Sequence, residues 1–386
     1  MADVISNLPD AILCHILSFL QTRQSVATSI LSKRWNPLWL SVPTLRFQQK
    51  LTKGITTSKF NDFVYSVLVS RDVRLPIKTF HLDVTYIHLN RCPMITITKW
   101  IKFAIQQRVE YLYLHLKALL LPKLPITILT CKTLVVLKLF SFSVKEGFSD
   151  SSVLLPSLKT LHLEDIWLSK LGDFTVFLSG CPILEDLRIF EVEFSSNESL
   201  TTLTCSEWNN FCLTNLTRAD IDWILWYFLL KTVHNTHSLR LKIHQRPSWN
   251  ELIPTFHDLT QLELISFSYS WQLLVKLLNH CPKLQKLHIA QAEVDKEEIW
   301  TRRVDRDDKE DWVDPDVVPQ CLSLHLTTCN LFNFLGLQGE ILLVRYILRN
   351  AEVLQTMKIR KVGRARITRL ISSFPRASAT CKVTIC

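Results

Sequence analysis

The stretch Leu134-Val135-Val136-Leu137-Lys138-Leu139 decides how this chain is read, because it recurs. The same form, Leu-x-x-Leu-x-[Leu/Ile], stands at Leu158/Leu161/Leu163, Leu184/Leu187/Ile189, Leu259/Leu262/Leu264 and Leu284/Leu287/Ile289, with two off-register matches at Leu116 and Leu121. The first anchors follow one another at intervals of 24, 26 and 25 residues. Looser copies fill the gaps at Val109-x-x-Leu112-x-Leu114, Leu216-x-x-Ala219-x-Ile221, Ser238-x-x-Leu241-x-Ile243 and Ile77-x-x-Phe80-x-Leu82. About one residue in six is Leu.

A period near 25 residues with this core predicts leucine-rich repeats. Each core alternates apolar and polar residues, as a half-buried strand does. Cys-Pro or Leu-Pro precedes several cores (Cys181-Pro182, Cys281-Pro282, Leu155-Pro156) and stops the preceding helix or turn. Trp271–His280 carries Leu273, Leu274, Leu277 and Leu278 on one helical face before the strand Leu284–Ile289. One such unit cannot bury its apolar face alone, so neighbours stack. The stretch 291–316 breaks the pattern with eleven acids against five bases and reads as an exposed loop. Beyond it, Cys321–Leu326 reads as a strand, Gly339–Asn350 as a helix and Leu354–Ile359 as a final strand, together capping the repeats.

The 386-residue chain has a net charge of +10. Residues 353–386 hold eight Lys or Arg and no acid. A basic surface attracts acidic proteins or phosphates. Eleven Cys, an odd number without any CxxC, and no basic leader before Ala11–Leu20 fit a reducing compartment, cytoplasm or nucleus, with no membrane span.

Residues 4–47 follow a different pattern. Pro9 and Asp10 suit a first helical turn. Ile12, Leu13, Ile16, Leu17 and Leu20 then form a broad apolar stripe that ends at Gln21-Thr22. Ser25–Leu31 gives a second short helix, and Ser32 caps a third segment with Trp35, Leu38 and Trp39, interrupted by Pro37. Some forty residues cannot bury so much apolar surface on themselves. The surplus meets either another protein or the first turn of the repeats, and physics alone leaves both open.

The order Leu8-Pro9-Asp10, Ile16-Leu17-Ser18-Phe19-Leu20, Thr28-Ser29-Ile30-Leu31-Ser32-Lys33-Arg34-Trp35 and Leu38-Trp39 resembles the F-box motif of plant F-box proteins. The repeats resemble the leucine-rich body of the same group. Trp312-Val313-Asp314-Pro315, Val318 through Leu322, Tyr346 through Ala351 and Phe374 through Ser378 resemble its C-terminal FBD region. The resemblance implies an α/β protein with a three-helix F-box over 1–47, an irregular leucine-rich repeat solenoid over 48–290, an acidic loop over 291–318 and an FBD-like capping unit over 319–386. It also implies that the F-box docks a Skp-family adaptor of a cullin–RING ubiquitin ligase while the repeats select a target. By position, Leu8, Pro9, Ile12, Ile16, Leu17, Leu20, Leu31, Arg34, Trp35, Leu38 and Trp39 form or support the adaptor contact.

No GxGxxG, GxxxxGK[ST], GxSxG or HExxH occurs, and His234-x-x-His237 has no Cys pair or carboxylate partner nearby. The expected protein is a non-catalytic receptor with no cofactor or metal. Its target face is expected on the outward strand positions Lys138, Thr160, His162, Asp186, Arg188, Arg218, Asp220, Arg240, Lys242, Gln261, Glu263, Lys286 and His288. That mixed, mainly basic set suits an acidic partner, or is only the solvated face that repeats need. The alternatives are a repeat scaffold without a ubiquitin role and a nucleic-acid binder using Lys358, Arg360, Lys361, Arg364, Arg366 and Arg369.

Overall fold

The computed structural model describes residues 5, 7–51, 57–86, 93–118, 120–144, 153–195, 212–222, 230–243, 253–266, 271–291, 315, 317–362 and 367–386. Almost all of the expected acidic loop, and much of 190–258, lie outside them. By compactness the chain divides into Met1–Thr204 and Cys205–Cys386.

The first unit opens with three short helices, α1 (Asp10–Leu17), α2 (Thr22–Ala27) and α3 (Trp35–Leu38), followed by a 3-10 turn over Trp39–Ser41. Pro37 is the third residue of α3, inside the first turn, where a missing N–H is least costly. The helix does not kink there; it ends one residue later. Helix α2 begins at Thr22, three residues before the expected start.

Six parallel strands follow: β1 (Thr44–Leu51), β2 (Thr79–Tyr86), β3 (Tyr111–Lys117), β4 (Val136–Val144), β5 (Thr160–Leu168) and β6 (Asp186–Phe194). Each pairs in register with the next, so repeat positions become rows. Leu45, Phe80, Leu112, Leu137, Leu161 and Leu187 form one buried row, and Phe47, Leu82, Leu114, Leu139, Leu163 and Ile189 another. Each such side chain stabilises the fold by about 1.5–3 kcal/mol when fully buried. The first repeat is Val42-x-x-Leu45-x-Phe47, one copy earlier than the sequence pattern had suggested. Helices α4 (Thr57–Ser70), α5 (Met94–Gln106) and α6 (Leu171–Ser179) connect the strands. Gly180 ends α6 so close to Val153 that a Cβ would stand 2.5 Å from its Cγ1.

In the second unit, β7 (Arg218–Asp222), β8 (Ser238–Lys242), β9 (Gln261–Ile265), β10 (Lys286–Ala290), β11 (Thr328–Phe334), β12 (Thr356–Lys361) and β13 (Lys382–Ile385) also run parallel and in order. Helix α7 (Trp271–Asn279) buries Leu273, Leu274, Leu277 and Leu278, as its spacing indicates. Three expectations need correction. The eighth repeat is Thr236-x-x-Leu239-x-Leu241, two residues earlier than read, because a buried Thr takes the anchor place of Leu. Cys321–Leu326 is not a strand: Pro319 starts the short helix α8 (Gln320–Leu324), and the strand waits until Thr328. Leu354–Ile359 reaches into β12, but β13 comes after it. The long helix near 339–350 is present as α9 (Gln338–Asn350). Its buried Glu340 accepts the N–H groups of Leu335 and Leu337 (3.1 and 2.7 Å) and the side chain of Gln291.

A signature unseen in the sequence repeats along the strands of both units. Ser141, Asp165, Glu191, Ser266 and Asn333 all have positive φ, between 49° and 62°. Each lies seven residues after its repeat anchor. There the alternation slips by one residue, so Phe142, Ile166 and Val192 face inward again. Six thiols, Cys131, Cys181, Cys281, Cys321, Cys329 and Cys381, are buried and free, and burial raises Cys181, Cys321 and Cys329 to about 12.

Candidate functional site

The N-terminal stripe is in fact two stripes. Leu13 and Leu17 turn inward and, with Trp35, Leu38 and Val42, make a small core against which Leu8, Cys14 and Leu20 pack. Ile12 and Ile16, each one position before an inward Leu and so about 100° around the helix, turn outward and are 47% and 41% exposed, and Phe19, just past the helix, is 68% exposed. Ile30 and Leu31 from the second helical segment are 86% and 64% exposed. Of the residues expected to contact an adaptor, Ile12, Ile16, Leu31, Pro9 and Arg34 are therefore exposed, and Leu17, Trp35 and Leu38 hold the segment together from inside. Leu8, Leu20 and Trp39 are half-buried. Phe19 and Ile30 were missed, although the spacing 12, 16, 19 marks a face of its own.

Polar contacts fix this arrangement. Arg34 reaches across from α3 and binds Asp10 through Nε and Nη2 (3.0 and 2.6 Å), and it also donates to the Leu8 carbonyl. Ser25 donates to the Leu17 carbonyl (3.1 Å), closing α2 onto α1. The segment is tied to the first strand as well: the Arg46 N–H donates to Thr22 Oγ1 over 2.7 Å. Arg71, just past α4, is buried and donates to the carbonyls of Val42 (2.7 Å) and Trp39 (3.5 Å). Burial lowers its guanidinium to about 10. The Cys14 thiol is raised by burial and then by Asp10.

The outward strand positions fall into rows. In the first unit Lys138, His162 and Arg188 share one, continued by Arg46, His81 and Tyr113. His162 lies 3.6 Å from Asp186, and Arg188 lies 4.0 Å from Glu164 with its guanidinium 4.7 Å over Phe190. Lys138 stands 6.0 Å over Tyr111. His81 stacks flat on Tyr113 at 4.0 Å, and burial lowers it to about 4. These aromatic neighbours were not among the expected residues, although His81 and Tyr113 stand at the outward place between the two inward residues of their repeats. In the second unit Asp220, Arg240, Glu263 and His288 share a row. Asp220 is only 3% exposed and accepts from Arg240 over 3.2 Å. Lys242 pairs with Asp222 at 3.8 Å. Arg218 and Lys286 are exposed. His234 Nδ1 lies 2.6 Å from its own helix-end carbonyl at Lys231.

Comparison with known proteins now bears on this geometry. Residues 5–47 match the F-box domain, 97–248 match the repeats of "FBD-associated F-box protein At5g56370, LRR repeats", and 314–359 match FBD. The F-box/FBD/LRR-repeat protein At4g00160 of Arabidopsis thaliana is 30% identical, over 90% of this chain and 84% of its own length. The chain belongs to the F-box/FBD/LRR-repeat family. Two more Arabidopsis relatives, F-box/FBD/LRR-repeat protein At4g26340 and FBD-associated F-box protein At4g10400, are 28% and 29% identical, each over 99% of both chains. As an F-box/FBD/LRR-repeat protein it joins a helical F-box to a body of stacked strands, and its mixed helix-and-strand build is that of its fold class. Among the described residues no helix is long and apolar enough to cross a membrane.

Proposed function

We propose that this F-box protein is the target-recognition subunit of a Skp–cullin–F-box ubiquitin ligase. The F-box docks a Skp-family adaptor, the adaptor links the chain to a cullin–RING complex, and the strand faces hold the protein to be ubiquitinated. The chain itself supplies no catalysis; it raises the effective concentration of target lysines beside the machinery. One observation carries the reading. Ile12, Ile16, Phe19, Ile30 and Leu31 are each exposed on a short segment that already has its own core. Clustered large apolar side chains left in water mark a protein-binding surface. Arg34 and Asp10, paired with each other, are exposed on the same segment.

The test is co-purification with a Skp-family adaptor. Ile12→Asp with Ile16→Asp places charge in the contact and abolishes capture without touching the internal core. Undiminished capture by that double variant sinks the docking role. Both positions are exposed, so the variant keeps its fold, and thermal melting checks this.

A further inference from the structure

The strand face of the second unit changes character along its length. On β7–β9 acids and bases neutralise one another: Arg240 stands between Asp220 (3.2 Å) and Glu263 (3.5 Å), and Lys242 faces Asp222. On β10–β13 the corresponding rows contain no acid. The register places Lys286, Thr328, Thr356 and Lys382 in one row and His288, Asn330, Lys358 and Thr384 in the next. Beyond them the Arg360 guanidinium lies 5.5 Å over the Phe332 ring. Lys286, Lys358, Arg360 and Lys382 are all exposed. Among the described residues, none of the four has an ion-pair partner.

We propose that this face of β10–β13 docks a carboxylate-rich segment of the target protein. The proposal rests on the reading above, in which the strand faces hold the target, and it names the chemistry of what is held. Lys358 and Arg360 are alternate residues of one strand, so they project on one side about 6.5–7 Å apart. An extended peptide repeats its own alternate side chains at the same distance, so successive acidic side chains meet successive cations. Lys286 and Lys382 stand three rungs apart, about 14 Å at the usual strand separation. The cations are therefore single and dispersed, which suits many monovalent carboxylates. A phosphoryl group is instead held by several donors converging on one point. Threonine hydroxyls at 328, 356 and 384 stand between the cations as neutral donors. A nucleic-acid strand would need open aromatic platforms for its bases. Phe332 is the aromatic residue of these rows, and Arg360 and His288 (6.4 Å between ring centroids) already lie against it.

The experiment is fluorescence anisotropy of the full chain with a labelled peptide of alternating Glu and Ser. Three competitor probes accompany it: a Lys/Ser peptide, a phosphoserine peptide of equal total charge and a single-stranded DNA oligonucleotide. The Glu/Ser peptide binds, and the combined variant K358Q, R360Q and K382Q weakens it by about tenfold or more. K358R with K382R retains binding, because charge is kept. K283Q leaves it unchanged, because Lys283 is paired with Asp258 away from these rows. Unweakened binding by the triple variant overturns the proposal, as does tighter binding of the phosphopeptide or of DNA at the same three residues. Adaptor capture is measured on the same samples. Loss of capture in the wild-type chain would overturn the ligase reading and leave the peptide result standing on its own.

Discussion

Arg71 donates from Nη1 to the Val42 carbonyl oxygen over 2.7 Å, with both residues inside the protein. Val42 belongs at once to the F-box core and to the anchor position of the first repeat. The bond therefore fastens the F-box to the strand body at their common residue. The guanidinium is not fully served: Nε and Nη2 have no hydrogen-bond partner. Arg71→Ala opens a cavity and orphans two carbonyls, and the expected loss is about 2–4 kcal/mol. Arg71→Met keeps the stem and removes the incompletely paired charge, so its loss is smaller. Thermal or denaturant melting of the two variants orders them.

Neighbouring residues of α1 have opposite tasks. Leu17→Ala empties part of the F-box core and costs about 2–5 kcal/mol of stability. Ile16→Ala removes an exposed side chain, leaves the melting curve within about 0.5 kcal/mol and weakens adaptor capture. Equal effects of both on melting would show that the two-stripe assignment is wrong.

His81 gives the first unit a pH dependence. Burial against Tyr113 holds it near 4 when folded, while Asp83 opposes the shift and Arg46 and His115 add to it. The unfolded chain takes up the proton near 6.5, so between 6.5 and 4 the unfolded state binds more protons. Stability contributed by the neutral ring is complete above 6.5 and is lost as pH falls through that window. Because the ring is partly exposed, screening reduces the effect to about 1 kcal/mol. His81→Phe flattens this part of the stability profile, measured as denaturation midpoints between pH 7 and 5.

Thr236 is fully buried, and its hydroxyl has no hydrogen-bond partner. It occupies the place that Leu, Val or Ile holds in neighbouring repeats. Thr236→Val keeps the shape, removes the stranded hydroxyl and raises stability by about 1 kcal/mol. A lower midpoint for this variant would mean that the hydroxyl has a role that the packing does not reveal.

The same residue shows where the sequence stopped being legible. Anchors made of Leu, Val or Ile gave their strands away by spacing, and the register followed. Thr236 broke the pattern and moved one repeat by two residues. Cys321–Leu326 carries strand-like alternation, but Pro319 fixes the geometry of a helix start, and local backbone chemistry won over periodicity. The positive-φ positions could not be read at all, since Ser, Asp, Glu and Asn fill them without any glycine. In the F-box the apolar content was plain, yet which side of α1 faces inward depended on α3 folding back over it. On the strand faces, chain order alone did not show that Arg240 neutralises Asp220 while Lys358 has no acid beside it.

The buried thiols give the chain a built-in set of reporters. Cys181, Cys281 and Cys321 stand at the entrances to three different strands, and Cys329 lies within one of those strands. Alkylation of each waits until its own stretch of the stack loosens, whereas Cys386 at the surface reacts at once. The order in which a mild alkylating reagent marks them, read by mass spectrometry, would therefore trace the order in which the layers come apart.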